Sequence, residues 1–443
     1  MSPSRRSSIR RLLCVTGGQL AAPAASLLAL PLLLALYDLA AVGEFFLLAS
    51  IAMCLAAVVA MGLTVAIALE TDAAAARRLL AASSVTGLLL AAAIVAAAAP
   101  LQPWLLPEYF GGALLAHAAC AAVLVASINV TSLVAATQIQ RGRFAPFAAV
   151  KLMQATLCVG GQVLAAQVGI APVNGLIVGY TAGFAAAAAF GFVIEGGPAG
   201  LRDLIAAGPI RSTAAVLRGH RDSIRYTGPS DLLVRFGTEF PGLLLASAAG
   251  PIFAGLYGIA TRLLSSPGSL VGTTAARLFL ADLTRVDPSD AMAKRRLCRR
   301  YAGGIAALLG LYVLALLAAA PLLESLANLP MSRVAPILLL CGPFVIAQIA
   351  ARAVLPIFDL HDRHRDRLRL TVAAFAVPAA VMVAAVPFGG RDLGLLASYA
   401  LVRVPLCLLL LAVAAKTATQ TKPAEPADTI PLPTQRTRSR RAA

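Results

Sequence analysis

Residues 250–281 read GPIFAGLYGIATRLLSSPGSLVGTTAARLFLA. A glycine–proline break opens an apolar run long enough to cross a bilayer. In the middle of that run stands Arg262, with no acidic residue within four positions on either side. A charge at mid-membrane costs at least ~2.5–3.5 kcal/mol on insertion scales, so it faces a wet cavity or a partner. The same opening occurs earlier in the chain. Ala41-Val42-Gly43-Glu44-Phe45 and Phe253-Ala254-Gly255-Leu256-Tyr257 share a glycine, any residue and an aromatic, at an offset of 212. These two facts, a repeated apolar segment and a lone buried cation, organise the rest of the reading.

The 443 residues are 59% hydrophobic and 13% charged, with a mean hydropathy of +0.84. Soluble domains carry roughly a quarter charged residues. Apolar runs near or above ~18 residues recur throughout, which predicts an all-α integral membrane protein. Twelve spans are expected, at about 13–36, 43–69, 79–102, 112–137, 144–170, 174–195, 231–250, 253–281, 301–323, 334–358, 369–388 and 393–415. The opening RRSSIRRLL imitates a secretory signal, but its apolar run continues to Tyr37 and more spans follow, so it reads as a first span held by arginines.

The net charge of +17 does not indicate nucleic acid, because the cations fall in short loops between spans. With the N-terminus inside, the inner loops hold Arg5, Arg6, Arg10 and Arg11, Arg77 and Arg78, Arg141 and Arg143, the 202–225 arginines, KRRLCRR, HDRHRDRLR and the tail. The outer loops show only Arg333 and Arg391. This asymmetry supports an even number of spans with both termini cytoplasmic. The expected organisation is a six-helix lobe over 1–196, a basic cytoplasmic linker over 197–230, a second six-helix lobe over 231–416 and a disordered tail over 417–443. The Pro/Thr-rich tail and its basic end suit anionic lipid headgroups. Both halves start inside, so the repeat is parallel, an arrangement that places a ligand between the halves.

Neither a P-loop, HExxH nor GxSxG occurs, and the seven cysteines show no metal or disulfide spacing. No cofactor or metal is expected, and HDRHRD (361–366) reads as a headgroup-facing loop. Gly175, Gly179 and Gly183 form a double GxxxG that lets another helix approach closely. Arg403 lies as deep as Arg262, both roughly 15 Å from the membrane surface. Arg235 and Glu239 share a helix face; they either neutralise each other or act as a switchable pair, with Arg235 taking an anion and Glu239 a proton or cation. Lys151 and Arg352 either snorkel to the cytoplasmic side or face inward. Thr261, Ser265 and Ser266 offer hydroxyls beside Arg262. Pro23, Pro31, Pro241, Pro267, Pro343, Pro356 and Pro405 interrupt the spans that carry these groups, freeing backbone groups.

GPIFAGLYGIATRLLSSPGSLVGTTAARLFLADLTR (250–285), RGRFAPFAAVKLMQATLCVGGQVLAAQVGIAPVNGLIVGYTAG (141–183), ARAVLPIFDLHDRHRDRLRL (351–370) and YDLAAVGEFFLLASI (37–51) resemble the polysaccharide-export flippases of the multidrug/oligosaccharidyl-lipid/polysaccharide (MOP) exporter superfamily. The resemblance covers nearly the whole chain except the tail. It implies a V-shaped, MATE-like transporter of two six-helix bundles, moving undecaprenyl-pyrophosphate-linked sugars across a bacterial inner membrane by alternating access. It also implies a cationic cavity lined by spans one, two, seven and eight. Arg262, Arg235 and Glu239 fall on spans seven and eight; spans one and two offer Gln19 and Glu44 instead of a matching cation. Arginine suits pyrophosphate through bidentate donation, so Arg262, Arg235 and Arg403, with Thr261 and Ser265, are the expected substrate contacts. Glu239 is the candidate for ion coupling, and Lys151, Arg352 and Gln19 are lesser candidates. Implied partners are the lipid-linked oligosaccharide, anionic lipids, a polysaccharide polymerase and glycosyltransferases. Two alternatives remain: a cation-coupled multidrug or small-solute antiporter of the same superfamily, and a membrane-embedded polymerase or ligase, which would need a larger outer loop.

Overall fold

The computed structural model describes residues 25, 27–60, 67, 73–101, 114–141, 143–206, 225–226, 228–283, 286–287, 290–327, 329–355, 357–358, 363–388 and 393–418. Gln19, Pro23, Pro356, most of the linker, the start of the HDRHRD loop and most of the tail lie outside the described residues.

The described residues are helical, with no strand among them. The reason is the solvent: without water, every backbone N–H and C=O must bond within its own segment. The elements are α1 (Leu27–Leu36), α2 (Leu39–Ala60), α3 (Ala73–Leu101), α4 (Leu114–Gln140), α5 (Phe144–Gln167), α6 (Pro172–Ile194), α7 (Gly197–Ala206), α8 (Gly228–Ala249), α9 (Pro251–Leu283), α10 (Ala291–Ala318), α11 (Ala320–Ala327), α12 (Met331–Val354), α13 (His364–Ala385) and α14 (Leu393–Ala418). Ten of them are long and apolar enough to cross a membrane. The 33-residue α9, threaded with Thr, Ser and Arg, is not among those ten, and of the first expected span the described part is α1 with Ala25. The remaining expected spans coincide with long helices to within about six residues, with two exceptions: α2 ends at Ala60, nine residues before the expected end of its span, and α10 starts ten residues early, at Ala291. Its first turns are the KRRLCRR cluster, which extends the helix beyond its apolar part, and Asp290 caps it by accepting from the Ala293 N–H at 2.8 Å.

The break between α8 and α9 is Gly250, whose φ of +88° ends one helix in the left-handed region before Pro251 starts the next. The double GxxxG of α6 packs backbone to backbone on α5. A Cβ on Gly161 would lie 2.7 Å from the Gly179 carbonyl oxygen, and the Gln162 side chain donates to the Leu176 carbonyl at 3.2 Å.

Helices α2 to α7 pack among themselves, and so do α8 to α14; α2 joins the two sets by packing on both α8 and α9. The repeat seen in sequence forms that junction. A Cβ on Gly43 would collide with the carbonyl of Pro251, and one on Gly255 would lie 2.9 Å from the carbonyl of Leu39. Leu39 with Pro251 and Gly43 with Gly255 are both related by the offset of 212. The two repeats therefore cross each other at their glycines, with the closer approach at Gly43.

One apolar core surrounds this crossing and draws on both sets, from Leu33, Phe45 and Leu176 to Tyr257, Phe344 and Tyr399. Toward the end that carries the basic loops the cores separate. Ile67, Leu80 and Leu133 form one, and Phe279, Cys298 and Leu410 another, and neither crosses between the sets. Among the described residues, the core is shared at one end and separate at the other.

Candidate functional site

Along α2, residues up to Ala49 belong to the shared core, whereas Ala52, Ala56 and Val59 belong to a core of the first set alone. A cavity of about 230 Å³ opens at that transition. From α2 it is lined by Phe46, Ala49, Ser50 and Met53, and from α9 by Gly258, Thr261, Arg262 and Ser265. Each of these four pairs is separated by the repeat offset of 212. The cavity walls are thus equivalent faces of the two repeats, completed by Arg235, Thr238 and Glu239 of α8 and Tyr180 of α6.

The equivalent positions carry different chemistry. Phe46 lies directly on Gly258, where a Cβ would collide with its ring. One turn on, the Arg262 guanidinium sits over the same ring, 4.0 Å from its centroid, and 5.4 Å from that of Phe45. Phe45 meets Tyr180 edge-on at 5.1 Å, and Tyr180 meets Phe184 at 4.9 Å. The half-buried Arg262 therefore rests on an aromatic platform, which offsets part of its desolvation. Among the described residues it forms no salt bridge, and it lines the cavity together with the carboxylate of Glu239. Thr261 Oγ donates to the Tyr257 carbonyl at 2.9 Å, while its lone pairs remain to accept.

Arg235 and Glu239 both line the cavity, as their spacing predicts, but neither is the other's hydrogen-bond partner among the described residues. Glu239 accepts a 2.7 Å bond from Ser50 Oγ across the junction, and the exposed Arg235 reaches Met53 Sδ at 3.8 Å. Helix α8 is held from behind. Gln348 donates to the Val234 carbonyl at 3.2 Å and to Thr238 Oγ at 2.9 Å, and Arg352 donates to the Val234 carbonyl at 3.0 Å.

Arg352 therefore braces α8 rather than lining the cavity, and Lys151, whose Nζ donates to Gln154 at 3.2 Å, is not among the lining residues either. Arg403 stands furthest from the expectation. It is 3% exposed, packed against Gly237 and Tyr399, and donates to the carbonyl of Ala374. That carbonyl lies four residues before Pro378, which has no N–H to bond it. Pro241 and Pro267 leave the same vacancy, and tyrosines fill it: Tyr399 donates to the Gly237 carbonyl at 2.7 Å and Tyr312 to that of Leu263 at 2.9 Å. The carbonyls freed by these three prolines are satisfied by side chains inside the second set of helices rather than turned toward the cavity.

The aromatic platform, Ser50 and Thr238 were not singled out from sequence. The offset of 212 would have found Phe46 and Ser50, because they are the counterparts of Gly258 and Arg262.

No family model and no curated protein matches the chain. Solved structures do. The eukaryotic MATE transporter AtDTX14 matches with a TM-score of 0.61 at 13% identity, covering 93% of this chain and 98% of that one. An inward-facing multidrug resistance MATE family transporter of the MOP superfamily gives 0.60 at 14% identity, covering 92% and 93%. A MOP superfamily transporter from Pyrococcus furiosus, described by the reversed polarity of its binding pocket, gives 0.58 at 15% identity, covering 93% and 96%. At these identities the likeness is one of architecture: the chain has the fold of the MATE-type transporters of the MOP superfamily.

Proposed function

We propose that this protein is a transporter that moves a lipid-linked oligosaccharide across the bacterial inner membrane by alternating access. Its two lobes would span residues 1–196 and 231–416, with the basic linker and tail on the cytoplasmic side. The observation that carries this reading is the cavity at the junction of the repeats. It offers two arginines, one carboxylate and the hydroxyls of Ser50, Thr238, Thr261 and Ser265. A pyrophosphate is matched by the forked donors of arginine, and sugar hydroxyls by small hydroxylated side chains. The resemblance of residues 37–51, 141–183, 250–285 and 351–370 to polysaccharide-export flippases points to undecaprenyl pyrophosphate as the carrier. The partners would then be the glycosyltransferases that build the unit and the polymerase that consumes it. Separate cores at the basic end fit a conformation open toward the cytoplasm.

The test is flipping of a fluorescent polyprenyl-pyrophosphate oligosaccharide in reconstituted vesicles, read by loss of outer-leaflet signal to a membrane-impermeant reductant. The wild type is expected to flip it and Arg262→Ala not to. Equal flipping by both would overturn the assignment of Arg262 as the anion anchor.

A second reading, a cation-coupled multidrug antiporter, draws on one specific feature, Glu239 bound to Ser50 inside the cavity. It predicts gradient-driven uptake of an organic cation that Glu239→Gln abolishes. Flipping that survives collapse of all ion gradients would exclude ion coupling.

A further inference from the structure

At the basic end, away from the junction cavity, helices α10 and α14 and the end of α12 enclose an open-sided pocket of about 550 Å³. Its rim carries Arg295 and Arg299, one turn apart on α10, and Lys416 near the end of α14. All three are exposed, and no carboxylate stands among the described lining residues. Behind the rim the wall turns apolar, with Ala302 on α10 and Leu411 and Ala412 on α14. At 1.5 Å per residue, the apolar wall lies roughly 4–10 Å along the helices from the cations. Further along the same two helices, Leu308, Leu311 and Leu408 are exposed, as residues facing hydrocarbon are.

Cations at the membrane surface followed inward by an apolar groove match a molecule with a charged head and an acyl chain. A free anion would use the rim and leave the groove empty. We propose that this pocket holds an anionic phospholipid, its phosphate against Arg295 and Arg299 and an acyl chain along the wall of α10 and α14. Arginine donates to phosphate oxygens in pairs, and two arginines four residues apart present their forks to one headgroup. The proposal is independent of what the junction cavity transports.

Native mass spectrometry of the full-length protein tests it, after reconstitution in phosphatidylcholine with and without phosphatidylglycerol. The wild type is expected to retain phosphatidylglycerol selectively. Each cation near an anionic surface is worth on the order of a fivefold change in binding, so Arg295→Gln with Arg299→Gln should weaken retention about twentyfold. Ala412→Phe, which fills the groove and leaves the charge unchanged, should also lose the lipid. Arg296→Gln with Arg300→Gln removes the same charge from another stripe of α10 and should retain it. Equal loss from both double variants would mean a diffuse basic belt and overturn the site. Retention by Ala412→Phe, or displacement of the lipid by inorganic phosphate, would overturn the acyl-chain assignment.

Discussion

Helices α2 and α9 share a glycine-and-aromatic opening at an offset of 212, and they differ at the positions that line the cavity. At Gly43 and Gly255 the two are alike, because each backbone rests on the other's carbonyl and a side chain on either would collide. One turn deeper they diverge. Phe46 stands opposite Gly258, and Ser50 occupies the place that Arg262 takes in the second repeat. The crossing requires glycine on both helices, since a side chain on either would meet the other's backbone. The cavity benefits from a difference: a ring fits where the partner has no Cβ, and a single guanidinium lies over that ring. Two arginines at equivalent sites would repel one another at short range in a poorly screened setting. With serine at the equivalent position of α2, the second arginine of the cavity comes from α8 as Arg235.

The largest expected effect comes from removing the asymmetry. Arg262→Ala should abolish transport while the protein remains in the membrane at wild-type level, and Arg262→Lys should keep a part of it, since lysine retains the charge but not the fork. Flipping assays with membrane-fraction immunoblots measure both. A sharper version moves the cation: Arg262→Ser combined with Ser50→Arg places it at the equivalent site on α2. If the repeats are interchangeable about their crossing, the double variant should recover part of what Arg262→Ser alone loses.

The crossing itself should respond from both sides. Gly43→Ala and Gly255→Ala each insert one methyl against a facing carbonyl, and overpacking of this kind typically costs about 1–3 kcal/mol. Thermal denaturation in detergent should show a loss from both, the larger from Gly43→Ala, whose methyl meets its facing carbonyl more closely. A large drop from one and none from the other would break the equivalence of the repeats. Phe46→Leu should have a smaller effect, because it removes the face on which Arg262 stacks. About 0.5–2 kcal/mol of cation–π attraction is at stake, read as a several-fold loss of transport with little change in melting temperature. The smallest expected effects are Tyr399→Phe and Tyr312→Phe. Each leaves a proline-freed carbonyl without its donor, at about 1 kcal/mol of stability, and neither touches the cavity.

Much of this was legible in the sequence for a physical reason. Span position depends on local hydropathy, and the bilayer enforces helix wherever the chain is apolar for long enough. The basic end is visible because lysine and arginine gather in alternate loops, with Arg333 and Arg391 as the exceptions. The repeat was visible at Gly43 and Gly255, because only glycine permits that approach. Arg262 and Glu239 were visible as costly residues inside apolar helices.

The destination of each charge was not legible. Arg262 and Arg403 have the same depth and the same bare apolar flanks, yet one faces the cavity while the other bonds the Ala374 carbonyl that Pro378 frees. Depth is set by distance along a helix, which the sequence states directly. Facing is set by which helices pack on which side, and those partners lie far away in the chain: α2 for Arg262, α13 for Arg403, α8 for Arg352. The sequence alone thus determined the helices, the shared glycine opening of α2 and α9, and the presence of cations inside apolar segments. The tertiary structure decided which of those cations meet across the junction, because a guanidinium in an apolar medium takes whichever acceptor or ring the packing brings within reach.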